Sequence, residues 1–205
     1  MEKDAQLGVI ILAAGKASRM GEPKAMLSYN GHSFLLNTFN LAQSVHPTGI
    51  VTVLGHYFNQ MSAHCNTHKI PFVLNEAYGN GMSSSIKCGL TYLLSHFPQV
   101  NMILILLADQ PKINTEHISS LLHKVRSSKY LMVCTSYSAT YGVPAVFKKE
   151  YFHELSELKG EKGAKNLIEK GVLNHENTVL CEDGRIDIDT PEDYKKLHAE
   201  KEISK

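Results

Sequence analysis

The chain has 205 residues, 43% of them apolar and 20% charged, with a formal net charge of +1. That length suits one domain, able to bury roughly 70% of the surface its unfolded chain exposes. Lys and Arg are scattered rather than massed, so there is no basic face for nucleic acid, and no apolar run approaches the ~18 residues of a membrane span.

Met1–Asp4 is too acidic, and the apolar run behind it too short, for a signal peptide. The four cysteines, Cys65, Cys88, Cys134 and Cys181, lie far apart with no C-x-x-C pair, as reduced thiols do. Both features predict a cytoplasmic protein. From there the chain alternates short continuous apolar runs with segments whose apolar residues recur every three to four positions. Leu7–Ala13 reads as a strand, Phe34–Ser44 as a helix, Ile50–Leu54 as a strand and Phe58–His64 as a helix. Phe72–Leu74, Met82–Leu94, Met102–Leu107, Glu116–Val125 and Leu131–Ser136 continue the alternation, strand before helix. After an apolar Ala145–Phe147 come helices near Glu150–Leu158 and Ala164–Lys170, a strand near Asn177–Leu180, and a helix from Pro191. The pattern predicts an α/β fold: a three-layer sandwich whose mainly parallel, Rossmann-like sheet carries helices on both faces. The tail from Lys195 reads as a solvated, frayed helix end, and His64 and His68 as residues of a surface helix.

Ligands of such sheets bind outside the carboxyl ends of the strands. The first such end, Leu12–Lys24, reads L-A-A-G-K-A-S-R-M-G-E-P-K. Ala13, Ala14 and Gly15 allow close approach to the backbone, whose free N–H groups hold anions. Arg19 and Lys24 add two cations, as a triphosphate requires when charge builds on the departing pyrophosphate. Five residues separate Gly15 from Gly21 and no G-K-[ST] follows, so this is not a Walker loop; nor is it a G-x-G-x-x-G fingerprint.

The second station, Asn75–Leu90, reads N-E-A-Y-G-N-G-M-S-S-S-I-K-C-G-L. Three consecutive serines open a helix, where one would satisfy its cap, and helix N-termini offer free N–H groups. Recognition of a base or ribose follows. The third is Asp109, at the end of the six-residue apolar run Met102–Leu107. A carboxylate there would be costly unpaired, and a magnesium ion (Mg2+) taking one or two carboxylates plus phosphate oxygens and water relieves the cost. Asp187 or Asp189 could supply the second carboxylate, held at the start of the last helix by Thr190 as cap and Pro191 in the first turn.

From Leu7 to about Leu197 these motifs resemble the MobA-like NTP transferases, closest to the molybdenum cofactor cytidylyltransferase branch. The resemblance implies the nucleotide-diphospho-sugar transferase type of fold, a single domain over 1–205, a nucleotide-binding half at 1–110 and an acceptor-binding half at 111–205. It implies that Leu12, Ala13, Ala14 and Gly15 meet base and ribose, joined by Asn75, Gly81, Met82, Ser83 and Ser84, and that Arg19 and Lys24 are catalytic. It makes Asp109 a metal ligand and Asp189 its partner, with Asp187 in reserve. L-A-A-G, where guanylyl-transferring relatives carry L-A-G-G, tilts the nucleotide towards CTP among the NTPs.

On the acceptor side the branch has G-H-P, often after Arg, where this chain has Tyr141-Gly142-Val143-Pro144. It has G-D-x-G-A-R where this chain has Gly160-Glu161-Lys162-Gly163-Ala164-Lys165. Gly142, Pro144 and Gly163 keep the turns and are the expected acceptor-binding positions. Val143 cannot hydrogen-bond through its side chain, and Lys165 lacks the planar fork of arginine. The implied activity is magnesium-dependent transfer of CMP from CTP to a phosphorylated small molecule, molybdopterin, with a molybdoenzyme as candidate protein partner. Two other readings stand beside it. One is a sugar-1-phosphate nucleotidyltransferase or guanylyltransferase of the same fold, and the other a non-catalytic carrier of nucleotide or pterin.

Overall fold

The computed structural model describes residues 6–16, 20–138, 140–181, 188 and 190–203, the last four as backbone only. Strand β1 (Leu7–Ala13) sits inside a seven-stranded sheet, between β4 (Gly49–Leu54) and β6 (Met102–Leu107), parallel to both. Beyond β4 lies β5 (Phe72–Leu74). Beyond β6 come β8 (Thr140–Lys148), β7 (Met132–Tyr137) and the edge strand β9 (Thr178–Leu180), giving the order β5-β4-β1-β6-β8-β7-β9. Only β8 runs against its neighbours among these strands.

Because strand side chains alternate faces, β1 sends Val9 and Ile11 into one core and Ile10 and Leu12 into the other. The first core is closed by α1 (Phe34–Gln43), α2 (Phe58–Thr67) and α4 (Thr115–Ser127). The second is closed by α3 (Met82–His96), α5 (Phe152–Ser156) and α6 (Lys165–Gly171). This is the three-layer α/β sandwich expected from the alternation of periods. From β1 the chain crosses to β4 on one side, and from β6 it leaves towards β7 and β8 on the other. The carboxyl ends of β1 and β6 therefore flank the point where strand order reverses, the place where open α/β sheets bind ligands. Among the described residues no helix is long and apolar enough to cross a membrane.

One feature corrects the expectations and two add to them. A hairpin, β2 (Ser28–Tyr29) with β3 (His32–Ser33), turns through Asn30 and Gly31, both at positive φ. Asn-Gly is a strong turn signal, but arms of two residues are too short to show a period. The last helix, α7 (Pro191–Ile203), is solvated along part of its surface, with Lys195, Lys196, His198 and Ala199 exposed, but it is also docked: Leu197 is 2% exposed and packs with Ile188, Leu27 and Phe34. The Tyr194 hydroxyl donates to the Ser28 carbonyl at 2.8 Å, fastening α7 to the hairpin, and Thr190 and Asp193 exchange hydrogen bonds at its start. Lastly, His64 is tied to the cap of α1, its Nε2 2.8 Å from Ser33 Oγ, while the neighbouring Cys65 is fully buried. Burial and the nearby His68 push the His64 pKa down, and burial pushes the Cys65 thiol up to about 11.

Candidate active site

Two adjoining clefts open at the carboxyl ends of β1 and β6, with volumes of about 370 and 330 Å³. Leu12, Met82 and Leu107 line both and form the wall between them.

The floor of the first cleft is the end of β1: Leu12, Ala13, Ala14 and Gly15 all line it. Pro23 then starts a 3-10 turn over Lys24–Met26, with the Met26 N–H donating to the Pro23 carbonyl and the Leu27 N–H to the Lys24 carbonyl, so Lys24 is held on backbone geometry rather than on a free loop. Its side chain is only 14% exposed, and Nζ lies 3.7 Å from Oδ2 of Asp109, itself 30% exposed at the end of β6. Lys24 lines the first cleft, and its cation faces the Asp109 carboxylate there, where opposite charges offset each other's desolvation. Arg19, Asp187 and Asp189 lie outside the described residues. Among those described, no group of three or more His, Cys, Asp or Glu is placed to hold a metal ion.

The start of α3 closes the far wall. Gly81, Met82 and Ser85 line the first cleft. Ser83 is 1% exposed, with an oxygen that has no hydrogen-bond partner, and it sits behind the wall. Ser84 turns its hydroxyl back to the Gly81 and Ala77 carbonyls, as a helix-start serine does. Asn75, 5% exposed, stands one layer further in: its Nδ2 donates to Ser84 and Ser85 at 2.8 and 3.0 Å, and its Oδ1 accepts from the Ala77 N–H. Its donors and acceptor are all engaged within the protein. Ser85 accepts from Asn75, which leaves its own proton to offer, and it was not among the expected residues.

Gly81 has a φ of +89°, and a Cβ there would lie 2.7 Å from the Gly160 carbonyl. The close approach seats the Gly160 loop on the start of α3, where the Ser83 N–H donates to the Gly160 carbonyl at 3.2 Å. Gly81→Ala should therefore cost about 1–3 kcal/mol, since that backbone region is nearly exclusive to glycine. A thermal melt should show it as a drop of several degrees, and an unchanged midpoint would count against this packing.

The second cleft lies between α3, α6 and the β7–β8 pair. Gly142 and Val143 line it; Pro144 is buried behind them, and Gly163 packs on Met82, whose Sδ would be 2.6 Å from a Cβ there. The β7–β8 register shifts between Cys134 and Thr135: Cys134 faces Ala145 and Thr135 faces Gly142. Val143 and Pro144 are thereby left out of the ladder, the arrangement a proline inside a strand requires. The Thr135 hydroxyl donates to the Pro144 carbonyl at 2.7 Å, so the His117 ring, 2.8 Å from Thr135 Oγ1, must donate to that hydroxyl through Nε2. Burial lowers the pKa of His117, favouring that neutral form.

Several lining residues went unread in the sequence. Lys16, Tyr57, Tyr78 and Glu161 line the first cleft, and Gln110, Tyr137, Tyr141 and Lys162 the second. Lys16, Tyr78, Tyr141, Glu161 and Lys162 sat inside motifs already quoted. Tyr57, Gln110 and Tyr137 carried no local signal, because their neighbours come from other elements.

Residues 9–178 match the family model of the MobA-like NTP transferase domain. The purine catabolism protein PucB of Bacillus subtilis (strain 168) is 28% identical over 201 residues, a match spanning 90% of this chain and 92% of that protein. Among solved structures, an rv0371c homologue from Mycobacterium sp. strain JC1 superposes with a TM-score of 0.79 at 27% identity, covering 98% of this chain and 99% of its own. The manganese complex of Rv0371C from Mycobacterium tuberculosis H37Rv shares the fold, with a TM-score of 0.75 at 22% identity over 94% of this chain and 97% of its own.

Proposed function

This chain belongs to the MobA-like NTP transferase family, a family of nucleotidyltransferases, and from that premise we propose that it transfers CMP from CTP to the phosphate of a small acceptor, molybdopterin, releasing pyrophosphate. The observation that carries the proposal is the facing pair Lys24 and Asp109, 3.7 Å apart in the first cleft, with a second cleft sharing its wall. A triphosphate in the first cleft would have a cation at hand for its leaving group, and an acceptor in the second would approach over Leu12, Met82 and Leu107. The division near residue 110 into nucleotide and acceptor halves belongs to the same proposal, and so does a molybdoenzyme as the recipient of the product.

An acceptor phosphate oxygen forms a bond to the α-phosphorus, and the bond from that phosphorus to the bridging oxygen of pyrophosphate breaks. A phosphate nucleophile is already ionised at neutral pH, so no side chain has to remove a proton. Lys24, with Arg19 as its proposed companion, offsets the charge on the leaving group. Backbone N–H groups of Ala13–Gly15 hold the nucleotide, with Ser85 added on geometry and Asn75 as the group that orients Ser84 and Ser85. Asp109 presents the hard oxygen donor that magnesium combines with phosphate oxygens and water. Asp109, with Asp189 as second carboxylate, would hold that ion, which supplies charge neutralisation on the phosphates. The manganese complex of a protein with this fold supports a divalent cation here. Ala14, on the floor of the first cleft where guanylyl-transferring relatives carry glycine, supports a cytosine base.

Pyrophosphate release measured with CTP, GTP and UTP, with and without magnesium and with molybdopterin as acceptor, tests the proposal. CTP with magnesium should give the highest rate. Preference for UTP would point to the sugar-1-phosphate branch, preference for GTP to guanylyl transfer, and nucleotide binding without release to a carrier.

A further inference from the structure

The Val143 and Pro144 carbonyls, left out of the β7–β8 ladder, are collected by side chains: the Tyr137 hydroxyl donates to Val143 as Thr135 does to Pro144. A phenol has a single hydrogen. With that hydrogen on the Val143 carbonyl, the Tyr137 oxygen can only accept from Gln110, whose carboxamide is 3.3 Å away. The group facing Tyr137 is therefore the Gln110 NH2, and the orientation of the amide follows from the hydrogen-bond chain. Oε1 is then left buried with no hydrogen-bond partner, on a residue that is 8% exposed and lines the second cleft.

An orphaned buried carbonyl is costly, and an apolar residue of similar shape would avoid the cost. We infer that Gln110 is the specificity-determining residue for the acceptor: its carboxamide, at the lining of the second cleft, turns so that the buried Oε1 takes a hydrogen bond from an N–H or O–H donor on the ring of the incoming molecule. The inference rests on the reading of the second cleft as the acceptor site and adds the residue that selects the acceptor there. The molecule this suits is a phosphorylated ring compound with a polar, hydrogen-donating edge and faces apolar enough for Ile86, Leu107 and Ile168. Gln110 directly follows Asp109, so the same strand end that faces Lys24 also meets the acceptor.

The test compares wild type, Gln110→Met and Gln110→Asn in three measurements: CTP affinity by calorimetry, KM for molybdopterin from pyrophosphate release, and thermal midpoint. Gln110→Met should raise the acceptor KM by roughly ten-fold or more, because the site is built to hydrogen-bond its substrate. CTP affinity should stay within about two-fold, and the midpoint should be unchanged or higher, since the orphaned oxygen is gone. Gln110→Asn, which draws the amide back by one methylene, should raise the acceptor KM too, and it covers a methionine variant that fails to fold. An unshifted acceptor KM in a folded variant overturns the inference. So does a KM that rises only together with weaker CTP binding and a lower midpoint, which is the mark of a structural residue. Absence of pyrophosphate release by the wild type would remove the acceptor reading itself, and this inference with it.

Discussion

Lys24→Ala should lower the rate of pyrophosphate release by about 10²–10³-fold, the loss seen when one group that stabilises transition-state charge is removed. The Lys24 backbone sits in a 3-10 turn whose hydrogen bonds involve no side chain, so truncation leaves the turn intact and the thermal midpoint near that of the wild type. CTP affinity should fall much less than the rate, because charge on the bridging oxygen grows only as the α-phosphorus bond breaks. Lys24→Arg separates charge from shape. It keeps the cation but brings a planar fork into a space now holding a compact ammonium 3.7 Å from Asp109, so an intermediate rate is expected. If the alanine variant releases pyrophosphate at the wild-type rate, Lys24 is no more than an ion-pair partner for Asp109.

Asp109→Asn should lower the rate by about 10²-fold or more, because a divalent cation on the phosphates is worth several kcal/mol of charge stabilisation. The change keeps the shape and removes the negative charge, so the variant should need more magnesium to reach a lower maximum. Titrating pyrophosphate release against magnesium for both proteins measures this. Identical magnesium curves would remove Asp109 from the metal site. The ion pair with Lys24 is lost in this variant, and the lysine, only 14% exposed, loses part of the compensation for its desolvation, so a small drop in thermal midpoint is expected. A large drop in thermal midpoint would therefore show that the carboxylate serves the fold more than the chemistry.

Parts of this site were legible because their signals are local. Leu12–Gly15 spans the end of one apolar strand, and Asp109 follows another by one residue, so each was expected at a strand end and both line the first cleft. The serine-rich segment was legible only in part. The sequence marks the start of a helix, but side chains there fan out around the axis. Ser83 points behind the wall, Ser84 to the backbone and Ser85 to the cleft, and nothing in S-S-S distinguishes them. The acceptor side was less legible still. Tyr137 and Val143 are six residues apart and Gln110 lies 27 residues before Tyr137, so their hydrogen-bond chain exists only once β8 lies between β6 and β7.

The layers, the strand ends and the cations and carboxylates on offer are readable along the chain, since hydrophobic period and turn chemistry are written within about ten residues of one another. That Lys24 faces Asp109, that Asn75 supports two serines from behind and that α7 docks on the hairpin came only with folding. Each of those is a meeting of side chains from distant segments. Its direction is set by packing against neighbours that no local pattern names.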